Sequence, residues 1–125
     1  MISGLNFVAS DSRTRSGCAN GTVANISLGG SRSVSLDAAA AALVRAGVFI
    51  TVAAGGSGDD VQYYSPASEP LVFTVGSTNV ADERSAYSNY GGGVDLWAPG
   101  EGVEVVWGEG TVSVFFFSDF FSFGI

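Results

Sequence analysis

The run Thr22-Val-Ala-Asn-Ile-Ser-Leu28, the alanine stretch Ala38 to Ala42 and the run Val48-Phe-Ile-Thr-Val-Ala-Ala54 decide the fold. The first is short, rich in β-formers and closed by Gly29-Gly30, so it reads as a strand. Ser33 or Ser35 can cap a helix that runs through the alanines and on through Leu43, Val44 and Arg45, with Gly47 as a left-handed stop. Leu36, Ala40, Leu43 and Gly47 share one face of that helix, and its alanines let it lie close on a sheet. Val48 to Ala54 is nearly all apolar, the pattern of a strand buried on both faces. Strand, helix and strand joined by short connections form a βαβ unit, which predicts parallel strands with a right-handed crossover.

Downstream, Gly55 to Asp60 is a Gly-rich acidic loop at the carboxyl end of the second strand, the edge where ligands sit in open α/β sheets. Leu71 to Val75 predicts a third strand, entered through Pro66 and Pro70. Val94 to Ala98 predicts a fourth, stopped by Pro99-Gly100. Upstream, residues 1–8 read as the tail of an amphipathic element that began before Met1, and residues 9–20 as a surface loop. The expected fold class is α/β, a mostly parallel central sheet with flanking helices. Its domain covers residues 1–113, followed by a tail, 114–125, that carries Phe115, Phe116, Phe117, Phe120, Phe121 and Phe123. That tail has no clean period and is an aggregation hazard if exposed. It reads either as sequence never selected to fold or as a hydrophobic anchor.

A chain of 125 residues with 46% hydrophobic content is one domain that can build a core. Five basic residues against 12 acids give a net charge of −7, a field that repels polyanions, so nucleic-acid binding is excluded. Without histidine and with one cysteine, the chain can form no internal disulfide, no His-based zinc site and no imidazole-dependent catalytic step. No signal peptide is read at Met1 to Val8, and no run approaches a membrane span. The pairs Asp59-Asp60 and Asp82-Glu83 read as solvated loop acids. The sequons at Asn20 and Asn25 carry little weight, the second because it falls in a strand expected to be buried.

Beyond periodicity, a set of local strings stands in order. They are Phe7-Val-Ala-Ser-Asp11, Ser27-Leu-Gly-Gly30, Val52-Ala-Ala-Gly55, Ser65-Pro-Ala-Ser-Glu-Pro70, Thr74-Val-Gly76, Ser88-Asn-Tyr-Gly91 and Ala98-Pro-Gly100. Together they resemble the middle of a subtilisin-like serine endopeptidase of the secreted fungal proteinase K type, over roughly residues 3–113.

The resemblance implies that Ser27, Leu28, Gly29 and Gly30 pair with an extended peptide and wall its primary specificity pocket. Ala53, Ala54 and Gly55 would form the opposite wall. Small residues let backbone approach backbone there, and they imply a roomy apolar pocket for aromatic or aliphatic side chains. At the next position the family carries an Asn whose amide donates to the oxyanion; here Gly56 stands there and offers no side-chain donor. The family's catalytic Asp and His lie before residue 1. Its nucleophile string, Gly-Thr-Ser-Met, is absent from the expected position near Ser118 and Asp119. The resemblance thus implies a serine-type endopeptidase, present as a truncated form without its triad and inactive alone. The alternative is a non-catalytic peptide-binding or decoy protein that reuses the cleft.

Calcium is the one cofactor implied, at Pro70, Val72 and Asp95, and no organic cofactor is expected. Cys18 reads as a small thiol or, as the resemblance implies, as half of a disulfide whose partner lies outside this chain. The expected partner is a peptide or protein substrate of the complete enzyme, with no nucleic acid, no membrane and a monomeric state. The resemblance places the protein outside the cell.

Overall fold

The computed structural model describes residues 1–14, 21–107 and 110–114; Cys18, Asn20, Ser118, Asp119 and the phenylalanines from Phe115 onward lie outside the described residues. The βαβ unit is present. β1 (Thr22–Ile26) leads through β2 (Gly30–Ser31) into α2 (Val34–Arg45), which returns to β3 (Val48–Ala53). β1 and β3 pair in parallel, from Thr22 opposite Val48 to Ile26 opposite Val52. Ser33 is the helix cap: its backbone is extended and its hydroxyl accepts from the Leu36 amide at 3.4 Å. Asp37 in the first turn and Arg45 in the last complement the helix dipole. Gly47, at φ +91°, makes the turn into β3 in a conformation that L side chains rarely adopt.

Further on come β4 (Tyr64–Ser65), β5 (Phe73–Thr78) and β6 (Leu96–Pro99). The main sheet has the order β1-β3-β5-β6, and its pairings are all parallel. β2 and β4 form a small antiparallel pair, with Gly30 opposite Ser65 and Ser31 opposite Tyr64. β7 (Val103–Trp107) and β8 (Gly110–Val114) form an antiparallel hairpin in which Val114 pairs with Val103. Among the described residues no helix is long and apolar enough to cross a membrane.

Several sequence expectations need correction. Residues 9–14 are not loop: α1 runs from Ile2 to Thr14. The hydroxyls that suggested a loop bond back onto the helix instead, Thr14 Oγ1 to the Ser10 carbonyl at 3.2 Å and Ser12 Oγ to that of Ala9 at 3.4 Å. Leu5, Val8 and Ala9, one turn apart, join the core, and α1 packs on α2. β1 ends at Ile26 rather than Leu28, because Gly30 and Ser31 turn away to pair with β4. The third strand begins two residues late, at Phe73. The Val72 amide is used in a turn to the Glu69 carbonyl, and the strand continues through Gly76 to Thr78. The fourth includes Pro99, opposite Thr78 on the edge strand, where a missing N–H can be tolerated.

β3 is not buried on both faces. Val48, Ile50 and Val52 are 1–2% exposed beneath α2, whereas Phe49 on the opposite face is 53% exposed. That face also carries the exposed Val23 beside Phe49, and the Phe73 ring at 5.8 Å from the Phe49 ring. Asn25, expected to be buried, is exposed there; its amide donates to Ser27 Oγ and its Oδ1 accepts from Thr51 Oγ1. Around β1 and β3 the core therefore lies on the α2 side of the sheet, whereas Val75 and Ala98 are buried on the other face further along. The core on the α2 side joins Leu5, Ile26, Ala40, Leu43, the inward residues of β3 and, further along the chain, Val61, Ala67 and Val72.

Candidate active-site cleft

The carboxyl ends of β1 and β3 open side by side, as parallel pairing requires, and a cavity of about 310 Å³ lies there. Of the residues picked out as pocket walls, Leu28, Gly29 and Gly30 line one side and Ala53, Ala54 and Gly55 another. Ser27 does not reach the cavity; its hydroxyl accepts from the Asn25 amide at 2.9 Å. Gly56 also lines the cavity and is exposed. No charged side chain contributes to the lining, so the cavity favours an uncharged guest.

Two of the cleft glycines, Gly29 and Gly55, are required by close approaches. A Cβ on Gly29 would sit 2.8 Å from the Ser65 carbonyl oxygen. One on Gly55, at φ +100°, would sit 2.5 Å from Asn89 Nδ2. The far wall comes from a segment not assigned to the pocket from sequence: Tyr64, Ser65 and Ala67. Ser65 is 1% exposed and ties that wall to the start of α2, its Oγ accepting from the Ser33 amide at 2.8 Å. Behind it, Ser68 Oγ donates to Asp37 Oδ2 at 2.9 Å, and the Arg32 guanidinium lies 3.9 Å from the same oxygen. Asp37 Oδ1 is buried and has no hydrogen-bond partner among the described residues.

The loop after β3 is held by residues 87–90. Gly58 and Val61 donate backbone N–H groups to the carbonyls of Tyr87 and Tyr90, and Tyr90 donates to that of Asp59. Asp60 caps the short 3-10 turn Val61–Tyr63 through its bond from the Gln62 amide at 2.9 Å. The string Ser88-Asn-Tyr-Gly91 was the visible signal for this support, although periodicity gave it no structural role.

Pro70, Val72 and Asp95 line a second cavity, of about 240 Å³. The Asp95 carboxylate accepts from the Thr74 amide at 2.7 Å, which fixes its position at the start of β5. One carboxylate and backbone carbonyls are hard oxygen donors, the set that suits calcium. Among the described residues no group of three or more His, Cys, Asp or Glu side chains gathers to hold a metal.

A parallel α/β sheet with a small-residue cleft at the ends of β1 and β3 defines the class to which this domain belongs. The chain is a member of the subtilase family, whose model matches residues 8–116. It is 51% identical over 107 residues to "Subtilisin-like serine protease AsES" of Sarocladium strictum, covering 86% of this chain and 27% of that protein. Over 107 residues it is 53% identical to "Cuticle-degrading protease" of Metarhizium anisopliae, with 86% of this chain and 27% of that protein covered. "Proteinase R" of Parengyodontium album is 48% identical over 111 residues, covering 89% of this chain and 28% of that protein. The chain thus spans little more than a quarter of the length of these relatives. Among solved structures, a cold-adapted subtilisin-like serine proteinase superposes with a TM-score of 0.78 at 43% identity, covering 90% of this chain and 40% of that one.

Proposed function

We propose that this chain supplies the peptide-gripping part of a serine endopeptidase, and that it hydrolyses no peptide alone. The observation that carries the reading is the cleft itself, in which Leu28, Gly29 and Gly30 face Ala53, Ala54 and Gly55 across one uncharged cavity. An extended peptide can add its backbone beside Leu28 to Gly30, where missing Cβ atoms allow close approach, and insert an aromatic or aliphatic side chain between the walls. The whole enzyme would cleave after that residue through an acyl-serine intermediate. The 125 residues of this chain contain no histidine to take the serine proton. Gly56 adds no side-chain donor for the oxyanion. Loss of one such donor is worth about 10²–10³ in rate, a magnitude that comes from subtilisin, a member of this same family.

Calcium is proposed as a structural ion at Asp95 with the carbonyls of Pro70 and Val72. When bound it would neutralise the Asp95 carboxylate and stiffen the entry to β5. We also propose, by analogy with the family, that the working protein acts outside the cell. A second reading, a peptide-binding or decoy protein without turnover, is favoured by Gly56 standing in an otherwise formed cleft.

The test is incubation of purified chain with a fluorophosphonate probe and a chromogenic Ala-Ala-Pro-Phe peptide. Neither covalent labelling nor turnover is expected; labelling at any serine overturns the proposed inactivity. A cooperative melt together with saturable peptide binding would favour the second reading.

A further inference from the structure

Asn89 is fully buried and lies outside the cavity lining, yet it bonds to the loop that follows β3 at several points. Its Nδ2 donates to the Ala54 carbonyl at 2.8 Å, at the very end of the strand. Its Oδ1 accepts from two loop amides, Ser57 at 2.9 Å and Asp59 at 3.2 Å. Its own amide donates to the Gly55 carbonyl at 2.9 Å. Backbone N–H groups can only donate and a carbonyl can only accept, so the neighbours dictate which way the carboxamide points. Only a carboxamide of this length both donates and accepts here: an Asp has no donor, and an Ala or Ser cannot span the gap. The bonds bracket Gly56 on both sides, and no hydrogen bond of the set involves residue 56.

We propose that Asn89 is the positioning residue of the cleft's loop wall. Its carboxamide fixes the backbone of Gly55 to Asp59, and with it the direction in which position 56 faces a bound peptide, whatever side chain stands at 56. The functional part of this statement rests on the reading of the cavity as a peptide site. The loop geometry can be tested separately.

Amide hydrogen exchange on the full chain, resolved by NMR, reads the two acceptor bonds directly. In the wild type the Ser57 and Asp59 amides should exchange slowly, in step with the Asn89 amide. Asn89→Leu keeps the volume and removes every side-chain bond; it should raise exchange at Ser57 and Asp59 about tenfold or more while Ile50 and Val52 stay protected. Asn89→Ser, too short to reach the Ala54 carbonyl or the Ser57 and Asp59 amides, should raise exchange at the same two positions. Free-loop exchange of Ser57 and Asp59 in the wild type overturns the proposal, as does retained protection in N89L. If N89L does not fold, the wild type and N89S decide, and retained Ser57 and Asp59 protection in folded N89S overturns the proposal. Titration with blocked Ala-Ala-Pro-Phe amide is the separate arm: amide shifts at Gly55 and Gly56 that weaken in N89L support the positioning role. Absence of any shift in the wild type overturns the peptide reading alone, since the exchange result stands without it.

Discussion

Gly55→Ala is the sharpest single test of how the cleft is built. Gly55 sits at φ +100°, and a new Cβ would lie 2.5 Å from Asn89 Nδ2, closer than real Cβ contacts come. Backbone strain at such an angle costs about 1–3 kcal/mol. The amide cannot yield cheaply, because Asn89 is fully buried and its Nδ2 is bonded to the Ala54 carbonyl at 2.8 Å. Pushing it aside leaves a buried donor and acceptor unpaired, about 1–3 kcal/mol more. The combined loss, about 2–6 kcal/mol, is a large share of a domain's stability and corresponds to about 8–24 °C in melting temperature for a chain of this size. The assay is thermal unfolding followed by far-UV circular dichroism, with Gly30→Ala as the control. Gly30 lines the same cleft, but a Cβ there meets nothing within 4 Å. A Gly55→Ala chain that melts within about 3 °C of wild type would refute the reasoning, because that shift corresponds to less than about 1 kcal/mol.

Leu43→Ala, at a fully buried site between α2 and the sheet, should cost about 2–5 kcal/mol in urea unfolding, with the spread set by how far the core can collapse. Ser33→Ala should cost about 0.5–1 kcal/mol, the lower part of the capping range, because the bond it removes is long at 3.4 Å. If calcium binds at Asp95, excess calcium should raise the melting temperature of chelator-treated protein, by an amount equivalent to about 2.7 kcal/mol at a hundredfold excess over Kd. Asp95→Asn should abolish most of that shift, and a variant with an undiminished shift would place the ion elsewhere.

The βαβ unit was legible because its signals are local: a β-rich run, a cap at Ser33, a stripe at Leu36, Ala40 and Leu43, and a glycine stop. The second half of α1 was not, because Ser10, Ser12 and Thr14 carry loop propensity, and the Ser12 and Thr14 hydroxyls bond back onto the helix instead. The apolar run of β3 suggested cover on both faces, but Phe49 shows that an apolar residue in a strand need not be covered by the described elements. In the cleft, the near walls could be picked out from the ordered family strings, since the small residues there are continuous in sequence. The wall from Tyr64 to Ala67 and the Asn89 support come from residues more than 30 positions away, through contacts that no periodicity encodes.

That separation has a consequence for how the cleft comes into being. Ala54 meets its side-chain partner 35 residues later, and Ser33 meets Ser65 32 residues later. A nascent chain emerging from the ribosome therefore has both strand ends exposed well before it has the residues that join them. Until position 89 is out, the groove lacks one of its seams, and the growing polypeptide has no finished place in which to hold another.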